Sequence, residues 1–294
     1  MYDTILVPTD GSEHADRAAE HALALAAAFD AEVHVLAVAD VRAAAGLFSA
    51  GGVDSEFVER IEARAREHAT ATGDLAGDRA VETAVRRGDP SDVILEYAAD
   101  VDADLLAMGT HGRSGVDRAL AGSVTEHVLR RADIPVLTAR TTERSAVGDG
   151  YDDVLVPTDG SEWAEAAVDH AVAIAERTNA RVHAVSVVDI GDISAAEYAP
   201  TRELLDHMRD MAQGATDQVA RRANEAGVDV TTGVREGRPS AEILDYAAAE
   251  GVDLVAMGTR GHGGIRRLLL GSTTERVVRR AEVPVLAVGP GEGA

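Results

Sequence analysis

The sequence contains no cysteine and no lysine. The first absence excludes disulfides, thiolate metal sites and a cysteine nucleophile. The second excludes a Walker-type phosphate loop, whose G-x-x-x-x-G-K-[S/T] pattern needs a lysine, and leaves all 28 basic residues as arginine. Aromatic residues are scarce at 3%; with the missing lysine and abundant Asp, Glu and Ala, this matches a salt-adapted, haloarchaeal-like composition. A GC-rich genome that converts Lys codons to Arg codons accounts for the missing lysine as well. No apolar run approaches the ~18 residues of a membrane span, and the opening "MYDTILVP" lacks a basic n-region. A cytoplasmic protein is expected. Positive charge is in deficit, with 51 acidic against 28 basic residues and a formal net charge of −23. Such a surface repels nucleic-acid phosphates and anionic membranes, so neither is an expected partner.

The chain is written twice. Tyr2 and Tyr151, Asp10 and Asp159, Gly88 and Gly237, Gly109 and Gly258, and Gly122 and Gly271 all keep one constant offset, and "YDTILVPTDGSEHA" is nearly the same text as "YDDVLVPTDGSEWA". A unit of ~140 residues can bury its own core and is far too long for a solenoid repeat. Two similar domains are expected, residues 1–140 and 151–294, joined by the polar, glycine-closed linker Thr141–Gly150.

Within each half, strand and helix patterns alternate. The runs "TILVPT", "AEVHVLAVAD", "AVETAVRRG", "ADLLAMG" and "IPVLTAR" read as strands. Between them stand helical patterns: "GSEHADRAAEHALALAAAF", a segment around Asp54 to Thr72, "PSDVILEYAADVD" and "GSVTEHVLRRAD". Apolar runs without alternation suit strands covered on both faces, and intervening helices require parallel crossovers. The expected fold class is therefore α/β: two similar doubly wound domains, each an about five-stranded parallel sheet with helices on both faces.

In such sheets ligands collect at the carboxyl ends of the strands, where strand order reverses. Asp10, Val38 and Gly109 fall at that rim. From Gly109 the loop runs through Gly112 and, nine residues later, reaches Gly122-Ser123 and a helix. Glycine permits close backbone approach and positive φ, while a helix N-terminus offers open N–H groups and a favourable dipole. The combination describes a phosphate cradle.

G-x-x-G, nine residues, then G-[S/T] after a strand, with "VPTDGSE" at the first strand and G-x-P before the fourth strand's helix, closely resembles the universal stress protein family, once per half. The resemblance implies an adenine-nucleotide α-hydrolase-like (Rossmann-like) fold of the ATP-binding type. It places ATP or another adenine nucleotide, with or without Mg²⁺, at each rim. The first site would use Pro8, Thr9, Asp10, Val38, Gly109, Gly112, Gly122, Ser123 and Val124. The second would use Pro157, Thr158, Asp159, Val187, Gly258, Gly261, Gly271, Ser272 and Thr273. Arg113 or Arg118 would assist the first. The resemblance also implies that the domains pair through "IPVLTAR" and "VPVLAVG", with further homo-oligomers and a protein client left open. The expected role is a nucleotide-dependent stress-response regulator. A slow ATPase or adenylyl-transfer enzyme and a nucleotide-free structural dimer are the alternatives.

Simpler readings compete at several positions. Asp10 with Glu13 forms D-x-x-E, the pattern of a capping box, and Ser123 and Ser272 suit helix caps. His14, His21 and His127 lack companions at metal-ligand spacing and read as helix-face or solvent residues, so no metal site is expected. The arginine pairs at Arg130 and Arg279 complement helix C-termini. No catalytic residue is expected: the loop's candidate proton acceptors His111 and Asp117 become Arg260 and Arg266 in the second copy.

Overall fold

The structure, a computed structural model, describes residues 1–41, 55–110, 123–148, 150–190, 201–261 and 270–289. Gly112, Gly122, His111, Arg113, Arg118, Asp117 and Arg266 lie outside them. The chain separates into two compact units, Met1–Val147 and Gly148–Ala294.

In the first unit the strands are β1 (Thr4–Thr9), β2 (Glu32–Ala39), β3 (Glu82–Arg87), β4 (Leu105–Gly109) and β5 (Val136–Ala139). The described helices are α1 (Glu13–Phe29), α2 (Ser55–Gly73), α3 (Pro90–Asp100) and α4 (Ser123–Arg131). Every strand pairing is parallel and the order is β3-β2-β1-β4-β5. Ile5 stands between Val33 on one side and Leu105 on the other. The chain thus builds outward from β1 in one direction, then crosses back to add β4 and β5. The reversal falls between β1 and β4.

The second unit holds β6 (Asp153–Pro157), β7 (Arg181–Asp189), β8 (Val230–Gly237), β9 (Leu254–Gly258) and β10 (Val285–Val288), with α5 (Glu162–Thr178), α6 (Arg202–Glu225), α7 (Pro239–Glu250) and α8 (Ser272–Arg280). Its parallel order, β8-β7-β6-β9-β10, repeats the first. The expected α/β class and strand assignments hold in both units.

Burial explains the apolar runs. Ile5, Leu6, Leu105, Leu106 and Leu137 are fully buried, as are Leu155, Leu254 and Leu286. Truncating one of these leucines to alanine costs about 2–5 kcal/mol where the cavity does not collapse. Helix α1 presents Ala15, Ala18, Ala22 and Ala26 to the sheet, with Leu25 among them. Small side chains let the helix sit close. The helix ends at Asp30, whose φ of 59° is left-handed, and α5 ends likewise at Asn179 with φ of 58°. Short polar side chains tolerate that conformation.

A carboxylate fixes the start of each first strand. Asp104 Oδ2 accepts from the N–H groups of Asp3 (2.7 Å) and Thr4 (3.0 Å), and Asp253 does the same for Asp152 (2.9 Å) and Asp153 (3.0 Å). The segment read as a linker is partly ordered on the first unit. Glu143–Ser145 forms a 3₁₀ turn in which Thr142 and Ser145 cap each other, and the Ser145 carbonyl bonds to His21 Nε2 at 2.9 Å. Among the described residues no helix is long and apolar enough to cross a membrane.

Candidate functional site

The turn after β1 is built from three nested side-chain bonds. Thr9 Oγ1 accepts from Gly11 N–H at 3.1 Å, Asp10 Oδ1 from Ser12 N–H at 3.1 Å, and Ser12 Oγ from Ala15 N–H at 3.3 Å. The second unit repeats them through Thr158, Asp159 and Ser161 at 3.1, 3.0 and 3.3 Å. This corrects the capping-box reading of Asp10. Ser12 and Ser161 are the N-caps of α1 and α5, and the Asp pair stands two residues earlier, at the strand rim.

The turn also separates Thr9 from its copy. The Thr9 hydroxyl meets Thr72 Oγ1 at 2.8 Å, and Thr72 donates to Asp16 at 3.1 Å. Thr158 instead lines a space of about 220 Å³ with Glu165, Val168, Ala215, Val219 and other residues of α5 and α6. Thr158 therefore contributes to a cavity apart from the expected second site.

The end of β4 approaches α1 so closely that a side chain has no room. A Cβ on Gly109 would lie 2.8 Å from the His14 carbonyl carbon, and one on Gly258 would lie 2.6 Å from the Trp163 oxygen. Neither glycine has positive φ, nor do Gly261 and Gly271. The expected positive φ is thus absent from the described loop glycines. Space is what they supply. A Cβ on Gly261 would run into the Asp159 carboxylate, so the loop glycine and the rim carboxylate are neighbours.

The loop closes onto a helix whose cap has no side chain. Gly271, with φ −63° and ψ 143°, is the N-cap of α8 and makes no side-chain capping bond, while its N–H donates to Thr259 O at 2.8 Å. Ser272 is consequently the first helical residue rather than the cap, a second correction. The N–H groups of this first turn are left to partners other than a capping side chain.

In the first unit a cleft of about 240 Å³ gathers Pro8, Thr9, Asp10, Val38, Gly109, Ser123 and Val124, together with Ser12, Ala15, Leu36, Pro90, Ile94, Met108 and Thr125. Every first-site residue expected from the sequence and described by the structure lines this one cleft. Leu36, Ile94 and Met108 make apolar walls; Asp10, Ser12, Ser123 and Thr125 bring polar groups, the usual composition of a small-molecule site. Of the second-site residues, Asp159, Gly261 and Gly271 are placed by the contacts above. Pro157 ends β6, Val187 lies near the end of β7, and Thr273 follows Ser272 in α8.

Sequence reading missed Thr125 and Thr274, whose hydroxyls tie the helix back to Gly109 and Gly258. The signal was present as a hydroxyl at the third position of both "SVTE" and "STTE". Leu36, Ile94 and Met108 gave no signal, because a cleft wall and a core position have the same composition. Two of the helix-face histidines hold neighbouring chain: His21 bonds the Ser145 carbonyl, and His14 Nδ1 accepts from Thr141 N–H at 2.8 Å. Burial lowers the His21 pKa to about 4. Among the described residues no group of three His, Asp or Glu is placed to hold a metal ion.

The universal stress protein family matches this chain twice, over residues 1–140 and 150–289. A universal stress protein of Methanocaldococcus jannaschii is 38% identical over 139 residues, 47% of this chain and 82% of that protein. One from Mycolicibacterium smegmatis is 29% identical over 300 residues, covering 97% of both chains. The crystal structure of a universal stress protein from Archaeoglobus fulgidus is similar with a TM-score of 0.72 and 25% identity, over 99% of this chain and 98% of that one. With one full match in each compact unit, the chain belongs to the universal stress protein family, as a tandem two-domain member.

Proposed function

We propose that the protein binds an adenine nucleotide, ATP foremost, at the strand ends of each unit and serves as a nucleotide-dependent regulator in the stress response. The carrying observation is the single cleft that collects Pro8, Thr9, Asp10, Val38, Gly109, Ser123 and Val124. Apolar walls suit a base, and the rim carboxylate of Asp10 suits the hydroxyls of a ribose. Around the second loop, the side-chain-free cap at Gly271 leaves the first-turn N–H groups of α8 for phosphate oxygens. Mg²⁺ would accompany the phosphates as a counter-charge in a strongly acidic protein.

The role is binding and signalling rather than turnover, because the loop carries no proton acceptor shared by both copies. We further propose that the protein works in the cytoplasm of a salt-adapted cell, on the strength of its net charge of −23 and all-arginine basic set. Mass spectrometry of small molecules released from the denatured, purified protein tests the nucleotide reading. An adenine nucleotide at up to two per chain is expected; protein that arrives empty and binds no added ATP in calorimetry refutes it.

A further inference from the structure

The two copies of the turn after the first strand face different residues. Gly11 and Gly160 are the glycines of "TDGSE", with left-handed φ values of 72° and 76°. A Cβ added to Gly11 would run into the His68 ring of α2, whereas one added to Gly160 would meet the Ala215 methyl of α6 at 3.4 Å. Four residues further along each helix come Thr72, which bonds Thr9, and Val219, which lines the space beside Thr158. From the first unit to the second, the helix facing the turn has lost an imidazole ring and a hydroxyl. The cavity of about 220 Å³ is bounded by those same residues, Thr158, Ala215 and Val219. Such a volume is the share of about seven waters and falls below the ~300 Å³ at which pockets for drug-sized ligands begin, so it suits one small ring.

The hydrogen bonds of the turn differ in the same way. In the first unit Thr72 donates to Asp16, so in the 2.8 Å pair of hydroxyls it is Thr9 that donates to Thr72. Thr158, only 7% exposed, accepts from Gly160 N–H at 3.1 Å, but its own proton has no acceptor among the described residues. The carboxylate of Glu165, at the position of Asp16 in the repeat, has no hydrogen bond or ion pair among them either. A buried donor without an acceptor is costly, and native structures rarely keep one. The cavity therefore offers one donor and one acceptor beside the apolar surface of Val168, Ala215 and Val219. Arg221 and Glu225 also line it and cancel in charge, so a neutral guest is not opposed. A neutral imidazole carries the complementary pair, one bare ring nitrogen that accepts and one N–H that donates.

We propose that the cavity between α5 and α6 is a binding site for a small heterocycle of the imidazole type, with Thr158 donating to its bare nitrogen and Glu165 accepting from its N–H. The guest supplies to the second unit the kind of ring that His68 brings to the turn of the first. The site is separate from the nucleotide cleft, and the proposal does not rest on the nucleotide reading.

The full chain with isotope-labelled glycine can be titrated in molar KCl with imidazole and with N-methylimidazole while the amide resonances are followed. Imidazole should shift the Gly160 N–H saturably in the millimolar range and leave Gly11 unmoved. N-methylimidazole has no N–H for Glu165 and should bind about tenfold or more weakly. Thr158→Val keeps the shape of the cavity without its donor and should weaken imidazole about three- to tenfold. Ala215→His, which supplies the ring from the chain itself, should abolish the response; should that variant fail to fold, Thr158→Val and N-methylimidazole decide. A Gly160 resonance that imidazole does not move would mean that water alone fills the cavity, and the proposal would be overturned. Equal binding of imidazole and N-methylimidazole would overturn it too, as would an undiminished response in folded Thr158→Val or folded Ala215→His.

Discussion

The Thr125 hydroxyl donates to the carbonyl of Gly109 at 2.8 Å, and the Thr274 hydroxyl donates to Gly258 at the same 2.8 Å. Each bond joins the first turn of a helix to the last residue of a strand, across the whole glycine loop. Both threonines are nearly inaccessible, at 4% and 3% exposure. The loop's two ends are therefore clamped to each other by these bonds.

Removing the hydroxyl while keeping the shape isolates this clamp. Thr125→Val or Thr274→Val should each lower unfolding free energy by about 1–2 kcal/mol, because a buried carbonyl loses its donor. The two effects should add, since the bonds lie in different units. Urea unfolding of both single variants and the double variant provides the measurement. Variants as stable as the parent would show that the bonds contribute nothing.

The glycines at the strand ends give a second test. A methyl group at Gly258 would meet the Trp163 backbone at 2.6 Å, and backbone cannot swing aside as a side chain does. Gly258→Ala should destabilise by roughly 1–3 kcal/mol through overpacking. Gly233→Ala is the control: its Cβ would meet only Val185 Cγ2 at 3.9 Å, and its φ is not positive. That substitution should be neutral or slightly stabilising. Thermal melts of the two proteins should separate clearly.

The rim was legible because its logic is carried by residue type at fixed spacing. A short apolar run without alternation, bounded by turn residues, suits a doubly covered strand, and an aspartate just after it falls at the strand's end. Hydrogen-bond partners were less legible. The D-x-x-E at Asp10 and Glu13 satisfies the capping pattern as well as Ser12 does, and only the path of the turn decides that Ser12 caps. The loop glycines were read for positive φ, yet Gly258 and Gly261 answer to the bulk of Trp163 and Asp159. Such contacts join residues about a hundred positions apart, and spacing carries no information about them.

His21 sets a pH dependence. Its pKa falls from 6.5 to about 4 because burial penalises the charged ring. The folded value is depressed, so its stabilising contribution is complete above the unfolded pKa. As pH falls from 6.5 towards 4 the unfolded chain takes up the proton first, and stability is lost across that window. Between about pH 7.5 and pH 5 this one group should cost on the order of 2 kcal/mol. His21→Gln retains a donor for the Ser145 carbonyl without a titrating ring, so its unfolding free energy should fall less over the same range. Parallel pH profiles for the two proteins would remove His21 as the cause.

Salt adaptation makes its own prediction. With a net charge of −23, self-repulsion opposes the compact state in dilute buffer, and it weakens as the Debye length falls to ~3 Å near 1 M salt. The melting temperature should rise steadily with KCl. If it is the same in dilute buffer and molar KCl, the composition reflects codon usage alone.

The helix cap of the second loop is where nucleotide binding is most exposed to a single substitution. Gly271 gives its N–H to Thr259 O at 2.8 Å, and a Cβ added there would lie 3.2 Å from that same oxygen. Its φ of −63° is one that any residue adopts, so valine should not strain the backbone; it should press on the loop and cover the approach to the first-turn N–H groups of α8. Ser272→Ala, by contrast, removes one hydroxyl from the first helical position and should cost only about 1–3 kcal/mol of affinity if that hydroxyl meets phosphate. Gly271→Val should therefore halve the calorimetric ATP stoichiometry, from two per chain to one, and adding Gly122→Val should abolish binding. Circular dichroism must show both proteins folded. A folded double variant that still binds two ATP with the parent's affinity would mean that the loops merely connect strand to helix, and the nucleotide reading of this family member would have to be abandoned.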